Sequence, residues 1–208
     1  MKRISIIGCI IAVFIFVGSA HAAMERGPYF GIGGSYAIQN FDTDELDDLR
    51  YYGFNPDFDN TWGINAKVGY KFNPMVSLEV AFEYLPGFNY SETSRWGYQP
   101  ISIDADLDVL TVVLAGKFSP VPGPVRPYFT AGLGIMRAEM DATVSSPGYF
   151  PEAAKDDETD ACGKVGFGID FFINPNLSFN MEGAYTVGFS DLDNIRYFTV
   201  SAGLGFHF

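Results

Sequence analysis

The stretch TWGINAKVGYKFNPMVSLEVAFEY, Thr61 to Tyr84, contains two runs of strict alternation joined by Asn73-Pro74-Met75. In the first run Trp62, Ile64, Ala66, Val68, Tyr70 and Phe72 fall on one side, and Gly63, Asn65, Lys67, Gly69 and Lys71 on the other. In the second, Val76, Leu78, Val80, Phe82 and Tyr84 oppose Ser77, Glu79, Ala81 and Glu83. A period of two is that of a β-strand. The stretch therefore predicts an antiparallel hairpin whose strands each have one greasy face and one small or charged face.

Outward from this hairpin the pattern repeats in segments of about ten residues, the length of a membrane-crossing strand. It appears from Tyr29 to Ile38, in PYFTAGLGI (Pro127 to Ile135), in CGKVGFGIDFF (Cys162 to Phe172), in LSFNMEGAY (Leu177 to Tyr185) and from about Tyr197 to Phe208. An eighth segment, IDADLDVLTVVLAGKF (Ile103 to Phe118), changes character part-way. Ile103, Ala105 and Leu107 alternate with Asp104, Asp106 and Asp108, and then both faces turn apolar. A β-bulge near Val109 or Leu110 is the expected repair.

The connections alternate in length. Short ones are Asn73 to Met75, the Pro-rich Ser119 to Arg126, and Asn174 to Asn176. Long ones run from about Gln39 to Asn60, Pro86 to Ser102 and Glu139 to Asp160, with a shorter fourth from Gly188 to Asn194. Short turns at one rim and long loops at the other mark an outer-membrane barrel with its turns on the periplasmic side.

Alternation does not by itself say which face is outside, since a soluble lipocalin-like barrel alternates too. The small face decides it. It carries Gly-x-Gly pairs in four strands (Gly31/Gly33, Gly132/Gly134, Gly166/Gly168 and Gly203/Gly205) and few charges. Exposed glycine pairs would weaken strands with nothing to offset them, whereas in a narrow lumen they make room for the few long side chains. The aromatic-rich face then meets lipid, with Trp62, Tyr84 and Tyr185 near the loop rim and Phe72, Phe118, Phe171 and Phe208 near the turn rim.

The remaining composition fits export. Lys2 and Arg3, an apolar run from Ile4 to Val17 and the closing Ala20-His21-Ala22 read as a signal peptide over residues 1–22, leaving a barrel domain over residues 23–208. The leader takes two cations and none of the 25 acidic residues, so the mature chain is more acidic than the −12 of the whole. Such a chain is a poor partner for nucleic acid, whose binding rests on cations. Cys162 is the sole cysteine outside the leader, which excludes an intrachain disulfide and a thiol metal cluster.

On the signal peptide, the x-Pro hairpin theme (YKFNP, GKFSP, FFINP), RPYFTAGLGI (Arg126 to Ile135) and the terminal SAGLGFHF (Ser201 to Phe208), the chain resembles the OmpA-like outer-membrane β-barrel family of Gram-negative bacteria. The resemblance implies an all-β, eight-stranded antiparallel up-and-down transmembrane barrel, monomeric, embedded in outer-membrane lipid and lipopolysaccharide. It covers a barrel domain alone, so the peptidoglycan anchoring of longer relatives is not carried over. Ser201, Gly203, Phe206 and Phe208 look like the C-terminal signal read by the outer-membrane assembly machinery.

Chemistry on this frame is sparse. His207 is the one histidine outside the leader, placed at the turn rim and read as a water-exposed terminal residue, so no catalytic site is expected and a lipid A-modifying enzyme is disfavoured. Lys67, Lys71 and Lys164 share the lumen with Glu79, Glu83, Asp170 and Glu182, and buried charges need pairing. A closed, salt-bridged lumen is expected, with a narrow or gated channel for small or hydrophobic solutes as the alternative. No cofactor is implied. NFDTDELDDLRYYGFNPDFDN holds seven carboxylates and EAAKDDETD five, without the glycine spacing of a calcium loop. No metal site is assigned, and an extracellular ligand of the acidic loops is left open, as are adhesive or packing roles for Tyr51, Tyr52, Phe54, Phe58, Tyr149 and Phe150. GIGGSY alternates as a strand with no helix after it, so it is no nucleotide loop.

Deleting Phe208, or Phe208→Asp, is expected to leave export intact and to deplete the folded barrel from the outer membrane. Heat-modifiable gel migration of membrane fractions reads the outcome; unchanged barrel levels would refute the assembly role.

Overall fold

The computed structural model describes residues 26–39, 60–96, 99–145 and 152–208. The expected signal peptide, the acidic stretch 40–59 with its aromatic residues, and Tyr149 and Phe150 lie outside the described residues. Eight strands follow in chain order: β1 (Gly27–Gln39), β2 (Thr61–Lys71), β3 (Val76–Trp96), β4 (Gln99–Phe118), β5 (Val125–Ser145), β6 (Glu152–Asn174), β7 (Leu177–Gly188) and β8 (Arg196–His207). Each pairs antiparallel with the next, and the sheet closes. β8 meets β1 from Tyr29↔His207 to Gln39↔Tyr197, and the Phe208 amide donates to the Pro28 carbonyl at 3.1 Å. One short 3₁₀ turn, Ser190–Leu192, lies between β7 and β8.

The outside is apolar. Trp62 is 72 %, Leu133 69 % and Ile64 66 % exposed, and Phe72, Phe118, Phe129 and Phe167 point the same way. A surface of that kind is stable only against lipid. The inside holds Ser35, Glu79, Glu83, Asp170, Glu182 and Ser201, all buried. In two places the lumen is matched across a strand pair, glycine to tyrosine. Gly69 stands opposite Tyr29 and Gly168 opposite Tyr128. A Cβ added at either glycine would sit about 2.5 Å from ring atoms of the facing tyrosine, so the missing side chains are the space the two rings occupy.

Two sequence expectations are corrected here. β4 carries no bulge: its register with β5 is continuous from Ser102↔Ser145 to Phe118↔Phe129. The irregularity is across the seam in β3, where Pro86 and Gly87 intervene between Leu85↔Val109 and Phe88↔Leu107. Two β3 residues oppose Asp108 alone, which lets both Leu85 and Phe88 point inward. Proline is tolerated at a bulge and Gly87 takes a φ of +65°, so a Pro-Gly pair that reads as a turn sits within a strand. For the same reason Pro86 to Ser102 and Glu139 to Asp160 are not loops. They are hairpin extensions, described except at 97–98 and 146–151, and they make β3 to β6 20 to 23 residues long against 11 to 13 for β1, β2, β7 and β8.

On the β4 and β5 parts of these extensions the polarity of the two faces is reversed. Leu85, Phe88, Leu107, Val109, Met136, Cys162 and Tyr197 form a buried apolar cluster inside. Asp106, Arg137, Glu139 and Asp141 face outward on β4 and β5. Above the lipid boundary the outside meets water, and an ordinary hydrophobic core becomes the favourable filling.

Gly168→Val is expected to destabilise the barrel by about 1–3 kcal/mol by overpacking the Tyr128 ring, read as a lowered urea midpoint of tryptophan fluorescence in detergent micelles. The same change at Gly34, an outward position where an added Cβ would meet only the Gly63 carbonyl at an ordinary 3.8 Å, is expected to have less effect.

Candidate functional site

Because β2, β3, β6 and β7 each place one or two charged residues at inward parity, the lumen gathers them into a connected set. Lys67 Nζ donates to Glu182 Oε2 at 2.7 Å, and Lys164 Nζ to Glu83 Oε2 at 2.9 Å. The carboxylates have further donors. Tyr128 Oη reaches the same Glu182 oxygen at 3.0 Å, Ser35 Oγ reaches Glu83 Oε1 at 3.0 Å, and Asn65 Nδ2 in turn donates to Ser35 at 2.8 Å. Glu79 accepts from Tyr29 Oη at 2.6 Å. Asp170 pairs at 2.7 Å with Lys117, whose ammonium lies 3.6 Å from the centre of the Tyr128 ring. These side chains are almost wholly withdrawn from solvent, so each ion pair must offset a large desolvation cost through geometry and extra hydrogen bonds.

The structure thus brings Lys67, Glu79, Glu83, Lys164, Asp170 and Glu182 into one lumen. Lys71 stands apart at the turn end, its Nζ 4.9 Å from the centre of the Phe172 ring. Sequence reading missed four members: Lys117, Tyr29, Tyr128 and Arg126. Lys117 was concealed by the unsettled parity of β4, although YKFNP and GKFSP place Lys71 and Lys117 at the same offset from their turns. Arg126 has the sequence setting of a Pro-rich turn but is an inward residue of β5. His207 is also corrected. Rather than lying in open water, its ring sits 4.9 Å from Phe172 and 5.6 Å from Tyr29, with Nε2 2.9 Å from Ser178 Oγ.

Little space is left among these groups. A cavity of about 20 Å³, lined by Tyr29, Lys67, Glu79, Lys117, Tyr128 and Asp170 among others, lies inside the barrel. That is room for about one water molecule.

At the other end the extensions carry their own electrostatics. Asp108 clamps the bulge, accepting from the Gly87 amide at 2.7 Å and from Tyr84 Oη at 2.9 Å, while Thr61 Oγ1 donates to the Pro86 carbonyl. Asp106, Asp108, Glu139 and Asp141 line an outward hollow of about 560 Å³ beside Trp62. Asp104, expected on the same face, has no side chain among the described residues. Arg137 bridges Glu139 at 2.8 Å and Asp157 at 3.3 Å, and Lys155 bridges Asp141 at 3.2 Å. The hydrogen bond from Lys155 to Asp141 raises the lysine above its ordinary range, though pairs this exposed contribute little stability. Among the described residues no group of three or more histidine, cysteine or carboxylate side chains is arranged to hold a metal ion.

A family model described as the outer membrane protein beta-barrel domain matches residues 9–208. The chain belongs to this family. It is an integral β-barrel of the outer membrane. Among curated relatives, outer membrane protein A of Shigella flexneri is 25% identical over 141 residues, 67% of this chain and 37% of that protein. The chain thus spans little more than a third of the length of that relative. Among solved structures, Ail, the attachment invasion locus protein of Yersinia pestis, in complex with the heparin analogue sucrose octasulfate, superposes with a TM-score of 0.57 at 23% identity over 88% of this chain and 99% of that one. Neisserial surface protein A gives a TM-score of 0.55 at 16% identity, over 88% and 97% of the respective chains. At these identities the two structures attest the fold.

Glu83→Gln leaves the Lys164 ammonium buried without its anion and is expected to cost about 3–5 kcal/mol. The double variant Glu83→Gln with Lys164→Met is expected to recover most of that loss. Urea unfolding of the refolded barrel in micelles, followed by heat-modifiable migration, measures both.

Proposed function

We propose that this protein serves the cell envelope as a closed structural barrel that presents two β-hairpin extensions at the surface for interaction, without enzymatic activity. The filled lumen carries the reading: three buried ion pairs, Lys67–Glu182, Lys164–Glu83 and Lys117–Asp170, span it, and the cavity beside them is the size of a water molecule. A conduit for solutes would have to break these pairs, each break leaving an uncompensated buried charge.

The one pair of side chains with catalytic character among the described residues, Ser178 and His207, supports the same reading. Ser178 is 2 % exposed, and no carboxylate among the described residues hydrogen-bonds the other ring nitrogen to orient it. The pair also sits at the turn end, away from the extensions.

The extensions give the surface role its chemistry. Ail was crystallised with a polyanion, whereas the outward face here is dominated by Asp106, Asp108, Glu139, Asp141 and Asp157 against Arg137 and Lys155. A cationic partner, or lipopolysaccharide bridged through divalent cations, fits this face better than a polyanion does. Membership as a monomer in lipid and delivery by the outer-membrane assembly machinery complete the proposal, the latter through Ser201, Gly203, Phe206 and Phe208 on β8 and at its end.

Planar-bilayer recordings of the refolded protein are expected to show no conductance above the lipid baseline. Stable conductance altered by Lys67→Met would establish the channel alternative instead. Replacing Asp106, Glu139, Asp141 and Asp157 by their amides is expected to leave heat-modifiable folding intact while lowering binding of whole cells to a cationic surface.

A further inference from the structure

The lumen charges are segregated along the barrel axis. The middle holds Glu79, Glu83 and Glu182 with Lys67 and Lys164, whereas inward positions near the turns carry Lys71 on β2, Lys117 on β4, Arg126 on β5 and His207 on β8 around Asp170, the one inward acidic side chain there among the described residues. Lys117 takes that carboxylate at 2.7 Å. Arg126 and Lys71 are left without one: among the described residues neither has an acidic side chain within ion-pair distance.

Arg126 is 7 % exposed. Its Nε donates to the Gly123 carbonyl at 2.8 Å, but its Nη1 is buried with no hydrogen-bond partner. The guanidinium lies 4.4 Å from the centre of the Phe172 ring, the same ring that Lys71 Nζ overlies at 4.9 Å. The two head groups therefore converge on one aromatic side chain, and the lysine is within electrostatic reach of Arg126 and Lys117, with Asp170 the one acidic side chain acting against them. A cation–π contact offsets part of this, but like charges gathered at one ring and an orphaned guanidinium N–H are both unfavourable. An oxyanion between the two cations would relieve both.

We propose that the turn-side mouth of the barrel is an oxyanion-binding site, formed by Arg126 and Lys71 against Phe172, for a phosphate group that is either free in the periplasm or carried on an anionic phospholipid of the inner leaflet. Arg126 supplies directional N–H groups suited to phosphate oxygens, and Lys71 a mobile point charge at the strand end. The site is a cul-de-sac. Beyond it the Glu79, Glu83 and Glu182 carboxylates oppose any anion moving deeper. The short turns Asn73–Met75 and Asn174–Asn176 leave the mouth near the headgroup layer, within reach of either source.

The test uses the mature chain refolded in zwitterionic micelles, with folding verified by heat-modifiable migration. Inorganic phosphate is titrated calorimetrically at constant ionic strength against a chloride control. In parallel, nanodiscs of phosphatidylglycerol and of phosphatidylcholine are compared for lipid retained by the barrel in native mass spectrometry. Saturable phosphate binding in micelles, weakened about tenfold or more by Lys71→Gln, supports the site with a free ligand. Selective retention of phosphatidylglycerol that Lys71→Gln abolishes supports it with a lipid headgroup. Arg126→Gln is expected to act more strongly. Should that variant fail to fold, Lys71→Gln, at the strand end, decides alone. Absence of both signals, or signals unchanged in a folded Lys71→Gln barrel, overturns the proposal.

Discussion

Everything in this protein follows from the pairing of its last strand with its first. In the hydrocarbon of a membrane no water is available to the backbone, so each N–H and C=O must find its partner within the sheet. Seven paired strands would leave two open edges in lipid. The register from Tyr29↔His207 to Gln39↔Tyr197 removes them. It also fixes which parity faces lipid on all eight strands at once, because each strand's register is tied to its neighbours' around the ring. Phe206 and Leu204 are lipid-facing for the same reason that Gly205 and Gly203 are not.

Closure with only eight strands makes the interior narrow, and the lumen chemistry is a response to that narrowness. Two tyrosines can lie inside because Gly69 and Gly168 give up their side chains to them. Their hydroxyls then complete the hydrogen bonding of Glu79 and Glu182. The ion pairs could not survive as isolated charges, and without them the carboxylates and lysines would be strongly disfavoured occupants. Packing and polarity are thus solved together: the glycines supply volume, the tyrosines bring donors, and the cations neutralise.

The lipid boundary sets the second organising rule. Within it, polar groups are inside and apolar groups outside; above it, on the extensions of β4 and β5, the arrangement is that of an ordinary water-soluble sheet. The switch needs only a change of residue pattern on β4, whose backbone runs through without interruption. On β3 it coincides with the bulge at Pro86 and Gly87, clamped by Asp108. The extra residue there is what allows Leu85 and Phe88 to enter the same apolar cluster. The acidic outward face and the apolar plug beneath it are two consequences of one change in solvent.

The alternation of the strands, the lipid-facing aromatic face, the strand count and the positions of the short turns were determined by the sequence alone, because a period of two assigns a face locally and each strand restates it. Lys67, Glu83, Lys164 and Glu182 could be placed in the lumen on that basis. Their partners could not: residues 81 and 115 positions apart pair through strand order and shear, which no local pattern encodes. The same holds for the bulge. Pro86-Gly87 has the composition of a turn, and only its fit against Asp108 on β4 makes it part of a strand. The inward turn of Arg126 and the crowding of cations at the turn-side mouth were likewise decided by the tertiary structure, since they depend on which side chains closure brings face to face across the lumen.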